Sequence, residues 1–337
     1  MKIRAKAPTR IDLAGGTLDI WPLYLLHPGS ITINLAISLA TSVEVEKRRD
    51  GRIIIISKDK GERLEAEGVD FLPDETSLDL LVQAVKHMKP KSGLTITTHS
   101  DTPEGSGLGS SSSLLIALLA ALEAVSGKRM TPEGRIRLAM NLEARVIRVP
   151  TGCQDYFPAT FGGLSAIHLG PEGPEREKLP LPSALPARLL LAYSGVSHFS
   201  GSPNWRVVKQ RIEGKNEIKT ILDELRNISR EMYRALKKGD YKAIPKLFTA
   251  EFELRSSLPG KALPKRINEI VVEAKRMGAS AKVMGAGGGG AILFFVERDK
   301  KEELSRFLLT KKLSILVFSP SRQGLTVEKT MIPGFGK

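Results

Sequence analysis

GSGLGSSSS, residues 105–113, runs without a break into LLIALLAALEAVSG, residues 114–127, and this junction decides how the rest of the chain is read. Gly105, Gly107 and Gly109 have no Cβ and take φ > 0 readily, so the backbone there can approach an anion closely. The run that follows is apolar nearly all round, which predicts a buried helix, and Gly127 stands where such a helix would end. A helix N-terminus placed directly after glycines offers unpaired N–H groups and the positive end of a dipole. Together they predict a phosphate cradle. Ser106, Ser110, Ser111 and Ser112 add hydroxyl donors and possible oxygen ligands for a hard cation. No Lys follows the last glycine, so the loop is not of the Walker A type. A flexible Gly/Ser linker is the bland alternative, but a linker would not lead straight into a buried helix.

Upstream, residues 78–88 read as a helix and residues 93–99 (GLTITTH) as an alternating strand. VEVEKRRDGRIIIIS, residues 43–57, has two strand-like runs around Asp50-Gly51 and predicts a hairpin. Downstream, residues 131–149 are helical in pattern, TGCQDYF breaks the period, and residues 164–169 form a strand. GPEGPEREKLPLPSALP, residues 170–186, is rich in Pro and Gly and reads as a linker or boundary. Beyond it come a strand at 188–194, charged helices over much of 204–277, and a glycine cluster opening a strand in MGAGGGGAILFF, residues 284–295. A tight turn needs at most two glycines, so four in a row point to close approach of a ligand or another backbone. Residues 314–318 and 326–329 are further strand candidates. Segregated elements without regular βαβ alternation predict an α+β fold.

The chain of 337 residues carries 51 Lys+Arg against 37 Asp+Glu, a net charge of +14. Such a charge raises a nucleic-acid reading. The basic residues are scattered, however, and aromatics make up only 5%, too few for stacking platforms. Cys153 is the only cysteine, so no internal disulfide forms and a reducing compartment fits. No apolar run reaches membrane-spanning length and the N-terminus lacks a signal-like apolar core, so cytoplasm is the expectation.

In combination, the loop TRIDLAGGTLD, the central P-x-G-x-G-L-G-S-S-S (from Pro103), the Gln154-Asp155 pair after a Glu-bearing helix, and the C-terminal GAGGGG resemble the GHMP kinase superfamily. The resemblance spans about residues 5–295, and TRIDLAGGTLD with QDYFPATFGGLSAI looks most like the branch of heptose 7-phosphate kinase and fucokinase. It implies a GHMP kinase fold, two α+β domains (1–175, ATP-binding, and 176–337) with the active site in the cleft between them. It implies ATP and Mg²⁺ as cofactors and phosphoryl transfer to a sugar or sugar-phosphate hydroxyl, the anomeric one by analogy with that branch. By the same resemblance Pro103, Gly105, Ser106, Gly107, Leu108, Gly109, Ser110, Ser111 and Ser112 would wrap the ATP phosphates. Ser111 and Glu143 would hold Mg²⁺, and Asp155 would take or orient the acceptor proton beside Arg10. Asp19, Gly15, Gly16, Gln154, Gly287 and Gly288 would meet the substrate. His198, Arg206, Lys209 and Arg148 are candidates for its far end, and His168 reads as structural. The expected partner is a small molecule, with neither nucleic acid nor membrane, on a monomer or homodimer. The rivals are a mevalonate- or phosphomevalonate-type kinase and, outside the class, a basic nucleic-acid-binding protein.

Overall fold

A computed structural model describes residues 1–196, 201–285 and 289–330. In chain order β1 (Lys2–Ala14), α1 (Leu23–Leu26), β2 (Ser30–Arg48), β3 (Ile53–Ser57), β4 (Glu62–Ala66), α2 (Asp79–Met88) and β5 (Gly93–Ser100) come first. Next are α3 (Ser110–Ser126), α4 (Pro132–Ile147), α5 (Tyr156–Phe161), β6 (Leu164–Gly170), β7 (Gly173–Leu179), α6 (Leu185–Arg188) and β8 (Leu189–Tyr193). The remainder is α7 (Gly201–Ile212), α8 (Asn216–Lys238), α9 (Ile244–Ser257), α10 (Lys265–Arg276), β9 (Ser280–Val283), β10 (Ala291–Phe295), α11 (Lys301–Thr310), β11 (Ser314–Ile315) and β12 (Thr326–Thr330).

Eight strands make one sheet in the order β12-β1-β2-β5-β3-β4, with β6 and then β7 continuing from β2. β2 pairs with β1 along one edge; along the other its first part pairs with β6 and its second with β5. Four strands, β11-β8-β10-β9, make the second sheet. One face of the large sheet packs on α2, α3, α4 and α5. Leu115, Ile116, Leu118 and Leu119 of α3 are fully buried there, each contributing about 1.5–3 kcal/mol of burial. This is why a helix apolar on every side is stable.

A register shift in β1 between Pro8 and Thr9 divides the strand between two cores. Ile3, Ala5 and Ala7 face the first core, whereas Ile11 and Leu13 face a second core shared with β8, β10, α8 and α9. Bulges of this kind re-aim side chains. Arg10 and Asp12, two residues apart, therefore share the face opposite Ile11 and Leu13.

Two expectations are corrected. The runs around Asp50-Gly51 are not paired with each other: β5 lies between β2 and β3, antiparallel to one and parallel to the other. Gly51 does turn the chain with φ +76°, but Ile53, Ile54 and Ile55 are buried and take β5 and β4 as neighbours. Nor is 170–186 a linker. Residues 173–179 form β7, hydrogen-bonded to β6 in register from Leu164↔Leu179 to Gly170↔Gly173. The Gly residues serve that hairpin, and Leu179 joins the second core. The strand expected at 314–318 shortens to Ser314–Ile315, and β12 returns to pair with β1.

Candidate active site

Helix α3 begins at Ser110, so the serines form its first turn rather than the loop before it. Its N-cap is Gly109 at φ +78°, with no side chain capping the free N–H groups. Gly105 and Gly107 are also left-handed, at +68° and +76°. Arg10 pins this loop to Asp155. Its Nε donates to Asp155 Oδ1 at 2.7 Å, Nη2 lies 2.5 Å from the same oxygen, and Nη1 donates to the Gly107 carbonyl at 2.6 Å. The Arg10 backbone N–H donates to the Leu108 carbonyl at 3.0 Å. A Cβ on Gly109 would sit 3.1 Å from Asp155 Oδ2, so the carboxylate lies against the helix start. Arg10 is buried, whereas the Asp155 side chain stays 23% exposed.

Glu143 projects from α4 to the same helix start. It is 7% exposed and accepts from Ser111 Oγ at 2.6 Å, from Ser112 Oγ at 3.0 Å and from the Tyr156 hydroxyl. Glu143 thus lies in the interior rather than on a solvated helix face. Burial pushes its carboxyl above the ordinary range, against the pull of these hydroxyls. A carboxylate and a hydroxyl oxygen 2.6 Å apart at a helix N-terminus fit a hard cation that shares its shell with phosphate oxygens. Ser106 Oγ is buried without a partner among the described residues, as a polar atom awaiting a ligand would be.

Asp19 closes the other side. Its Oδ2 accepts from Gln154 N at 3.0 Å and its Oδ1 from Thr17 N at 3.1 Å. Burial pushes its pKa up to about 6; the Gln154 N–H opposes the rise and the neighbouring Asp155 charge adds to it. Gly152 must be glycine here, because a Cβ would meet Asp19 Oδ2 at 2.1 Å. The same holds at Gly15 and Gly16, where a Cβ would meet Ile31 O at 2.1 Å and Asp12 Oδ2 at 2.3 Å. Leu18 and Ile20, either side of Asp19, pack on Val207, Val208 and Leu222 of α7 and α8. Thr17 holds φ +87°, a cost of about 1–3 kcal/mol for a β-branched residue.

The C-terminal glycines meet the phosphate loop backbone to backbone. Ala291 N donates to Ser106 O at 2.8 Å, and a Cβ on Gly290 would lie 2.8 Å from that oxygen. Gly285 would likewise meet Gly107 Cα at 2.8 Å. Gly287, Gly288 and His198 lie outside the described residues. Arg148 pairs with Glu75 on the surface and Lys209 with Glu213. His168 pairs with Glu177 across β6 and β7.

Sequence reasoning missed a buried charge cluster under the 15–19 loop. Asp12 accepts from Arg255 Nη1 at 3.1 Å and lies 3.4 Å from Lys282 Nζ. Lys282 also pairs with Glu251, whose Oε1 accepts from Gly15 N at 3.2 Å. Arg255 Nη2 donates to the Gly285 carbonyl. Burial pushes the Asp12 carboxyl up, but Lys282 and Arg255 together hold it below its ordinary value. The signals were there: Lys282 alternates with Ala281 and Val283 in a buried strand, and Glu251 and Arg255 stand i,i+4 on α9.

Two family models match this chain, the GHMP kinases N terminal domain over residues 79–163 and the GHMP kinases C terminal domain over residues 232–314. The chain belongs to the GHMP kinases, phosphotransferases that act on a hydroxyl. It is 31% identical over 346 residues to the D-glycero-alpha-D-manno-heptose 7-phosphate kinase of Campylobacter jejuni, across 96% of this chain and 98% of that one. It is 27% identical to the mevalonate kinase of Thermococcus sibiricus, across 97% and 99%. The crystal structure of a D-glycero-D-manno-heptose 1-phosphate kinase from Bacteroides thetaiotaomicron shares the fold, with TM-score 0.77 at 23% identity over 98% of this chain and 100% of that one.

Proposed function

We propose that this chain transfers the γ-phosphoryl group of ATP to a hydroxyl of a sugar or sugar phosphate, with a heptose 7-phosphate as first candidate and the anomeric hydroxyl as acceptor. The observation that carries this reading is the Arg10–Asp155 pair, tied to the Gly107 carbonyl and set against the start of α3. It joins a candidate base to a phosphate cradle. Residues 103–112 offer the phosphates backbone N–H groups and serine hydroxyls. Ser111 and Glu143 would hold Mg²⁺, which when bound neutralises phosphate charge.

Asp155 accepts the proton of the acceptor hydroxyl while that oxygen bonds to the γ-phosphorus and the bond to the bridging oxygen breaks, leaving ADP. Arg10 orients the Asp155 carboxylate through their ion pair and offsets the charge on the moving group. Most of the acceleration comes from positioning and electrostatics. Asp19 and Gln154 face the acceptor: a carboxylate can accept from two sugar hydroxyls, and Gln154 Oε1 is a buried atom without a partner among the described residues. On this reading residues 1–175 carry the nucleotide loop and residues 176–337 the second domain, although β7 crosses that boundary and both it and β12 pair into the first sheet. No described helix is long and apolar enough to cross a membrane; the proposed enzyme acts on small molecules in the cytoplasm.

The relation to mevalonate kinases keeps an isoprenoid alcohol as the second reading. The test is coupled ADP release with Mg·ATP against heptose 7-phosphate, mannose, fucose, galactose and mevalonate. Turnover with a sugar and none with mevalonate is the expected result. Turnover with mevalonate alone overturns it, and DNA binding that weakens steeply with salt, without ATP consumption, would favour the nucleic-acid rival.

A further inference from the structure

Lys261 is one of the largest fully buried side chains of the protein, 2% exposed, and stands on the loop between α9 and α10. Its Nζ donates to Thr17 Oγ1 at 2.5 Å. Among the described residues no carboxylate lies within ion-pair distance of it, unlike Lys282 and Arg255 nearby. A buried ammonium held only by a hydroxyl is costly, and burial pushes its pKa well below the ordinary lysine value, with Arg255 adding to the fall and Asp19 and Asp12 opposing it. A cost of that kind calls for a compensating task.

Thr17 is the second anomaly. It is a β-branched residue at φ +87°, in a loop where Gly15 and Gly16 show that glycine is available. Glycine at 17 would remove the strain. What it could not supply is the hydroxyl that Lys261 engages. The backbone N–H of the same residue donates to Asp19 Oδ1. The contacts run in line: Lys261 Nζ to Thr17 Oγ1, Thr17 N to Asp19 Oδ1, and Asp19 Oδ2 from Gln154 N next to Asp155.

We infer that Lys261 is a positioning residue for the acceptor site, which through Thr17 fixes the carboxylate of Asp19 in the orientation that receives the substrate. This rests on the proposed role of Asp19. It assigns to the C-terminal half of the chain a part in acceptor recognition made without touching the acceptor. Among the described residues no hydrogen bond or ion pair joins residues 103–113 to Lys261, Thr17 or Asp19, so ATP use should be independent of the relay.

Four variants test the inference: Lys261→Met, Thr17→Val, Thr17→Gly and Thr17→Ser. With Mg·ATP and heptose 7-phosphate, the first three should raise the acceptor KM about tenfold or more, the size of one lost ~1.4 kcal/mol interaction. The KM for ATP should stay within about twofold, and Thr17→Ser, which keeps the hydroxyl, should restore acceptor KM. Thr17→Gly discriminates best: it relieves strain, so a merely structural role predicts normal or improved behaviour. Equal rises in both KM values, or a normal acceptor KM in Thr17→Gly, would overturn the inference. A crystal structure of unliganded Lys261→Met separates it from failure of the sugar-kinase reading. Asp19 displaced by about 1 Å or more, or freed from Thr17 N, supports the relay whatever the acceptor proves to be. Asp19 unmoved sinks it.

Discussion

The loop of residues 103–113 and the loop of residues 15–19 both reach the Asp155 segment, Gly109 directly and Asp19 through Gln154, yet different physics holds them. The phosphate loop is a local object. Alternate glycines set its left-handed turns, the helix that follows supplies its free N–H groups, and backbone bonds to Arg10 and Ala291 brace it. The 15–19 loop and the end of β1 before it are fastened by ionisable side chains from far along the chain: Glu251 to Gly15, Lys261 to Thr17 and Arg255 to Asp12, each more than 230 residues away. A phosphate needs little more than oriented N–H groups, which neighbours in sequence can provide. A carboxylate proposed to receive a specific acceptor needs one orientation, and here the segment that carries it is held by buried charges from α9 and the loop after it.

The contrast can be broken most forcefully at the point the two loops share. Asp155→Asn should lower kcat by about 10²–10⁴ if Asp155 acts as base, with the KM for ATP nearly unchanged, as read by coupled ADP release. An unaltered kcat would remove the Arg10–Asp155 pair from the chemistry. Next in size is the fastening of the acceptor loop. Lys282→Met leaves Asp12 and Glu251 facing each other in the interior, and should cost about 3–5 kcal/mol in a urea titration. A loss under 1 kcal/mol would mean that the cluster relaxes and does not hold the loop.

A smaller effect comes from pH. Asp19 titrates at about 6 in the fold against 3.8 for the free side chain. The folded protein therefore binds this proton more tightly than the unfolded chain. The stability so gained is full below about pH 4, fades as pH rises through 6, and is absent above. Activity runs the other way: kcat/KM for the acceptor should fall as pH drops through about 6, while the KM for ATP stays flat. An acid limb that persists unchanged in Asp19→Asn would assign the titration elsewhere. Smallest of all, Arg148→Ala removes an ion pair whose two side chains are 79% and 80% exposed, and should change neither stability by more than about 0.5 kcal/mol nor acceptor KM. A large rise in acceptor KM would return Arg148 to the substrate site.

Of the site, the parts legible in sequence were those whose signal is contiguous. Residues 105–113 announced a helix start, and the glycine cluster near residue 290 announced a close approach, which at Gly290 proved to be to Ser106 and at Gly285 to Gly107. Glu143 was found by family resemblance alone. The hydroxyls of Ser111, Ser112 and Tyr156 that hold it become neighbours only when α4 packs on α3. Lys261 carried no local signal at all, because a Lys after a Pro-Gly turn in a charged region reads as surface.

Arg10 and Asp155 were reached through the family resemblance; by itself the sequence determined the α+β class, most helix and strand positions and the glycine-led start of α3. These rest on periodicity, capping and glycine freedom, which act over a few neighbouring residues. The tertiary structure alone decided that β5 enters between β2 and β3, that residues 173–179 pair as a strand, and that Asp12, Glu251, Arg255, Lys261 and Lys282 meet beneath the acceptor loop. Strand partners are chosen by which faces can be buried together, and a buried charge is tolerated only where an opposite charge or a hydrogen-bond partner arrives from elsewhere in the chain.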